Sequence, residues 1–158
     1  MNRTLLAAAA ALTLVIPAAA QAEIVPQKSI ADVSLGASEA DVRGALGKSP
    51  RVKTQTDDFS KVRTYTYGKT KVTFRQDEGG DYIVFAITTV SKSEKTDDGV
   101  GVGSTEAAVK KDVSRVKCET FARLRTCHVG AFRAGRVVTD FTIESGKVVR
   151  VTLGRVVD

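Results

Sequence analysis

Val33-Ser34-Leu35-Gly36-Ala37-Ser38-Glu39-Ala40-Asp41-Val42-Arg43 returns sixty-seven positions later as Val100-Gly101-Val102-Gly103-Ser104-Thr105-Glu106-Ala107-Ala108-Val109-Lys110. Each copy reads apolar-Gly, a hydroxyl residue, Glu-Ala, then Val and a base. Self-similarity at a fixed period is the first signal to settle, because it dictates how the rest of a chain is parsed. Ser38 and Thr105 are suited to cap a helix N-terminus, and Glu39, Asp41 and Glu106 stand where the positive helix end favours a carboxylate. Ser38-x-x-Asp41 approximates a capping box. Gly47 and Pro50 end the first helix.

Outward from these helices the texture is that of strands. Val62–Tyr67, Lys71–Phe74 and Tyr82–Val90 are rich in β-branched and aromatic residues and are separated by Gly68-Lys69 and by 77–80. Phe121–Val129, Arg136–Ile143 and Val148–Val156 follow the second helix. The expectation is an α+β fold: a tandem repeat of a helix plus a three-stranded antiparallel meander, helices packed on one face of the sheet. The first repeat with its linker spans 23–98, the second spans 99–158, and both form one compact domain. Ser91–Gly99, with Asp97-Asp98-Gly99, is the expected linker, and Glu23–Ala31 a tail or lead-in.

Residues 1–22 stand apart. Arg3, the apolar run Leu5–Ile16, Pro17 and the small residues Ala20-Gln21-Ala22 have the order of a secretory signal peptide, with cleavage after Ala22 or Ala20. The run is shorter than the roughly 20 apolar residues a membrane span needs. The expected location is secreted or periplasmic, with no transmembrane segment after cleavage. In that setting Cys118 and Cys127, the two cysteines of the chain, are expected to form a disulfide.

Charge is uneven. Residues 23–98 hold 12 Lys/Arg against 12 Asp/Glu, whereas 99–158 hold 11 against 6. The basic excess therefore sits in the second half, which is the mark either of an anionic partner or simply of a basic protein kept soluble by its charge.

Strand alternation places Ile83, Phe85, Ile87, Val149, Val151, Leu153, Val72, Phe74, Phe141 and Ile143 on a core face. The opposite parity collects Arg63, Tyr65, Tyr67, Arg75 and Tyr82 from the first half, with Arg136 and Arg150 from the second. Tyrosine beside arginine is the composition of recognition patches, since a phenol ring buries apolar area yet keeps a hydroxyl for a partner. These seven are the candidate partner-binding residues.

Catalytic and metal constellations are not legible. His128 is the lone histidine, without a second histidine or acidic cluster to complete a metal site. Asp57-Asp58 and Asp97-Asp98 lack calcium-loop spacing. Nucleophile-elbow, zinc-helix and phosphate-loop motifs are missing, and Gly99, Gly101 and Gly103 lack a dinucleotide-binding context. No catalytic residue, metal or cofactor is assigned.

At Leu35-Gly36-Ala37-Ser38-Glu39-Ala40-Asp41-Val42 and Leu46-Gly47-Lys48-Ser49-Pro50 the pattern resembles the SmpA/OmlA (BamE-like) envelope modules. The tandem arrangement is similar to the β-lactamase inhibitory proteins. That resemblance implies two α/β units sharing one sheet, whose open face holds a partner. The function expected is thus a non-catalytic binding module that recognises an envelope or extracellular protein through the open sheet face. The alternative is a binder of an anionic envelope polymer or ligand, through Arg123, Arg125, Arg133, Arg136 and Arg150. Nucleic acid is not expected as a partner of an exported chain.

Overall fold

The computed structural model describes residues 23–49, 51–56, 60–77 and 79–157. The expected signal peptide and Asp57-Asp58 fall outside them.

Three short strands open the chain: β1 (Ile24–Val25), β2 (Ser29–Ile30) and β3 (Val33–Ser34), paired in that order as a small antiparallel sheet. Helix α1 (Glu39–Leu46) leads into β4 (Arg51–Thr56), β5 (Lys61–Tyr67), β6 (Thr70–Gln76) and β7 (Ile83–Thr89). Helix α2 (Glu106–Asp112) leads into β8 (Lys117–Phe121), β9 (Leu124–Val129), β10 (Val137–Glu144) and β11 (Lys147–Arg155). The last eight strands form one antiparallel sheet in the order β4-β5-β6-β7-β11-β10-β9-β8. Its centre is the pairing of β7 with β11, from Ala86 opposite Gly154 to Thr89 opposite Val151.

The expected fold class is corrected by this architecture. The protein is mostly β, with two helices of 8 and 7 residues, and no tandem of helix plus three-stranded meander forms. The helices are too small to be a layer. Each buries a single residue fully, Val42 in α1 and Val109 in α2. One face of the large sheet is covered instead by the three-stranded sheet together with the segment around 94–102. Ile24, Ile30 and Val33 enter the same buried cluster as Val72, Phe74, Ile87, Phe141, Val151 and Leu153. The Gln27 amide donates to the Thr139 hydroxyl at 2.7 Å, tying the small sheet to β10. Glu23–Ala31 is therefore part of the covering layer rather than a tail. Within Ser91–Gly99, Glu94 and Thr96 are buried, and Lys95 bridges to both Glu23 and Gly101.

Strands β4 and β8 were not legible, and both are sheet edges. Every residue of β4 is exposed, so it has no apolar face to produce an alternation. Arg51 and Lys53 suit such an edge, because charge discourages pairing with another chain.

Two register shifts re-aim side chains. Between Thr73 and Phe74 the pairing moves so that Phe74 faces Val84, leaving Phe85 as an extra residue on β7. A bulge of this kind puts two residues opposite one and reverses the parity beyond it. Val84 is consequently buried, Ile83 is 48% exposed, and Phe85 lies against the Arg75 guanidinium, 5.6 Å from the ring centroid. Of the expected core trio Ile83, Phe85 and Ile87, only Ile87 reaches the core. A second shift between Thr142 and Ile143 pairs Ile143 with Val148, which is buried in place of Val149.

Cys118 and Cys127 face each other across β8 and β9 and form a disulfide. Closing ten residues contributes about 2.5–3 kcal/mol on a chain-entropy argument.

Candidate functional site

The register sorts the large sheet into rows, and adjacent rows point to opposite faces. One row runs Tyr65–Val72–Ile87–Leu153–Thr139–Val129, with all but Thr139 apolar and all six buried. This is the covered face. The neighbouring row on the other face runs Arg51–Thr66–Lys71–Thr88–Thr152–Asp140–His128–Lys117 across all eight strands, and every member is polar. Seven inter-strand steps of about 4.8 Å make a strip roughly 34 Å long.

Threonines and cations dominate this second face. Thr64 and Thr73 flank the strip on one side with Lys53, and Thr142 and Thr126 on the other with Arg150. At the sheet centre Ala86 faces Gly154. A cavity of about 400 Å³ lies over the neighbouring Lys71, Thr88 and Thr152, lined also by Lys69, Thr73, Val90 and Arg150, and no carboxylate is among its walls. Among the described residues, Lys69, Lys71 and Arg150 take part in no ion pair. The Thr88 and Thr152 hydroxyls share a hydrogen bond at 3.2 Å across the central strand pair.

Towards β8 the strip changes character. Burial pushes the Asp140 carboxyl above its ordinary range, against the Thr142 hydroxyl that donates to it at 3.2 Å and the nearby His128 and Arg150. His128 is buried under the Phe132 ring, with Nδ1 2.9 Å from the Gly130 carbonyl and Nε2 3.2 Å from the Glu119 carboxylate. Its partners are a backbone oxygen and one exposed carboxylate, which gives no metal geometry. The Glu106 carboxylate lies close to both cysteine sulfurs, but sulfurs joined in a disulfide supply no thiolate to an ion.

The seven residues picked from sequence divide into three groups. Arg63, Tyr65 and Tyr67 point to the covered face, since Arg63 pairs with Phe74, Tyr65 with Val72 and Tyr67 with Thr70. Tyr65 is 1% exposed and sits edge-on to Phe74 at 4.8 Å. Its hydroxyl donates to Glu39 at 2.8 Å and accepts from Arg43 at 2.8 Å, and Arg63 meets the same Glu39 oxygen at 2.7 Å. The Arg63 guanidinium also lies over the Tyr82 ring at 3.9 Å, so Tyr82 belongs to this group. The Tyr67 hydroxyl is buried without a partner, and burial pushes its pKa up. Tyr65 and Arg63 brace α1 on the sheet, with Tyr82 stacked against Arg63.

Arg75 and Arg150 stand on the open face, Arg75 held by Asp77 at 2.7 Å. Arg136 is exposed beyond the end of β10, where it shares a second cavity of about 520 Å³ with Arg133 and Arg155. Of the remaining arginines, Arg123 occupies the exposed turn between β8 and β9. Arg125 points to the covered face, where it binds Glu106.

Lys71, Thr88 and Thr152 were missed as site residues, although parity does put Lys71, Thr73 and Thr152 on the open side. The signal for a site was the run of threonines at alternate positions, which by itself is equally the mark of any half-exposed strand. Glu39 and Glu106 were read only as helix-start residues. Each proves to tie its helix to an arginine of the sheet, Arg63 and Arg125 respectively.

No protein-family description matches the chain, and no curated protein matches it by sequence. Solved structures that match include an extracellular protein with an SCP domain from Bacillus anthracis, at 11% identity and a TM-score of 0.46 over 77% of this chain and 44% of that one. A cysteine-rich secretory protein from Staphylococcus aureus matches at 8% identity and a TM-score of 0.45, again over 77% and 44%. A DUF4309-family protein from Bacillus subtilis, YjgB, matches at 16% identity and a TM-score of 0.41, over 75% and 78%. The chain thus spans under half the length of the first and second of these. At such identities and scores they do not bear on what this chain does. One broad antiparallel sheet with two short helices is not the helix-plus-meander tandem that the resemblance to the SmpA/OmlA modules and the β-lactamase inhibitory proteins implied, and the structure does not bear that resemblance out.

No helix among the described residues is long and apolar enough to cross a membrane.

Proposed function

We propose that this chain is an exported, non-catalytic binding module that holds an anionic polymer along the open face of its eight-stranded sheet. The observation that carries the reading is the accessible part of the polar strip, from Arg51 across β5, β6 and β7 to Thr152, beside which Lys71 and Arg150 take part in no ion pair among the described residues. Its length suits an extended ligand that crosses several strands. Cations spaced along a surface attract a polyanion through many weak contacts that add up and that salt screens. Export is supported by the Cys118–Cys127 disulfide, because such bonds persist in oxidising compartments.

The alternative of a protein partner relied on Tyr65, Tyr67 and Tyr82 as exposed aromatic anchors. All three side with α1 and the covered face, which is why we favour the polymer. The cations concerned also differ from those expected. Lys71 and Arg51 come from the first half of the chain, and Arg125 is engaged by Glu106.

Fluorescence anisotropy with labelled dextran sulfate and labelled neutral dextran tests the reading. The sulfated polymer alone should bind, its affinity falling steadily with added salt and several-fold in a Lys71→Ala/Arg150→Ala double variant. Equal binding of neutral dextran, or an affinity that salt leaves unmoved, would sink it.

A further inference from the structure

The cavity at the centre of the open face has a chemistry more particular than positive charge, and resting on the polymer reading we propose that it is a subsite for a tetrahedral oxyanion group carried by that polymer, a phosphoryl or sulfuryl ester rather than a carboxylate. The argument starts from who can donate. Lys69, Lys71 and Arg150 bring three positive charges to the walls of one cavity. An ammonium offers three N–H donors and a guanidinium five, with no acceptor on either. Thr73, Thr88 and Thr152 add hydroxyls from three strands.

The Thr88–Thr152 pair sharpens this. A hydroxyl has one proton to give. In their shared hydrogen bond one threonine spends its proton on the other, whichever donates, and the second keeps its own proton free. The pair therefore has one O–H left to donate beside the flanking cations. Lys71 sits opposite Thr88 on β6, and Arg150 lies two residues from Thr152 on β11. The donors thus come from both sides of the β7–β11 junction and from the floor between them.

Acceptor count and charge then select the ligand. A carboxylate has two oxygens in a plane and one negative charge. A phosphomonoester carries about −1.5 to −2 at neutral pH and three strong acceptor oxygens arranged in a pyramid. Three cations distributed around a hydroxyl floor match the second shape. One carboxylate, Asp140, lies next to Thr152 along the strip, outside the walls of the cavity.

Calorimetric titration with dextran phosphate monoester, dextran sulfate and polyglutamate separates this subsite from general polyanion binding. The wild type is expected to hold dextran phosphate or dextran sulfate at least about tenfold more tightly than polyglutamate of matched charge, and the tighter of the two names the phosphoryl or the sulfuryl source. Thr88→Val/Thr152→Val keeps charge and volume but removes the hydroxyls, and it should bring the three polymers close to parity while polyglutamate affinity stays as it was. Arg136→Gln, which deletes one charge away from the cavity, should weaken all three alike and keep the preference. Lys71→Gln, on an exposed side chain, should reduce the preference even if the threonine variant folds poorly. Equal affinity of the wild type for all three polymers, or a preference that survives both the threonine and the Lys71 variants, would overturn the subsite and leave polymer binding standing. Failure of every polymer to bind would overturn both.

Discussion

The Tyr65 hydroxyl donates to the Glu39 carboxylate at 2.8 Å, on the covered face of β5. Glu39 opens α1, and Arg63 and Arg43 complete the group around the phenol. A tyrosine in a strand of alternating polar residues looks like a surface residue until a helix carboxylate is placed above it.

Tyr65→Phe should therefore destabilise the protein by about 1.5–3 kcal/mol, the range for a hydrogen bond to a charged group. The ring still fills its place against Phe74. Tyr65→Ala should cost about 3–5 kcal/mol through the added cavity. Urea unfolding of the two variants measures both. A Phe variant as stable as the wild type would mean the hydroxyl contributes nothing to bracing α1.

The second helix is tied down by charge, and acid should loosen it. Hydrogen bonds from Arg125 and Lys110 hold the Glu106 carboxyl at about 2, well below its ordinary value of 4.5. A depressed folded-state pKa gives stability that is present above the unfolded pKa and lost as pH falls through the folded one. The melting temperature of the wild type should thus exceed that of Glu106→Gln by a constant margin above pH of about 4.5. The gap should close progressively towards pH of about 2. A margin that does not change over this window would show that the ion pairs do not stabilise the fold.

Glycines 44 and 101 should respond oppositely to alanine. A Cβ on Gly101 would stand 2.4 Å from the Glu94 carbonyl oxygen and 2.8 Å from the Lys95 side chain, so the backbone of the covering segment would have to shift. Gly101→Ala is expected to cost about 1–3 kcal/mol, as overpacking does. Gly44 lies inside α1 with nothing within 4 Å of its Cβ position. Gly44→Ala should gain about 0.5–1 kcal/mol, because glycine is costly in a helix interior. Thermal melts of both variants check the contrast, and a neutral Gly101→Ala would remove the close approach as the reason for that glycine.

Local signals were readable in the chain. Ser38 and Asp41 form their capping box, Thr105 caps α2, and Cys118 pairs with Cys127. Strands β6 and β7 stood out because each buries at least two side chains, and β5 because its residues are β-branched and aromatic. Strands β4 and β8 did not, since an exposed edge has no buried side to betray it.

By itself the sequence determined where helices begin, which of the buried segments are extended, and which cysteines can meet, all of which depend on residues close together in the chain. The tertiary structure alone decided the faces and the site. A single bulged residue, Phe85, reverses the parity of β7, and the partner strand that imposes it is not visible in β7 itself. The meeting of Thr88 with Thr152 spans 64 residues and exists only because β7 and β11 pair at the middle of the sheet. Pairing between distant strands is set by the burial of a whole face at once, so no short stretch of sequence contains it.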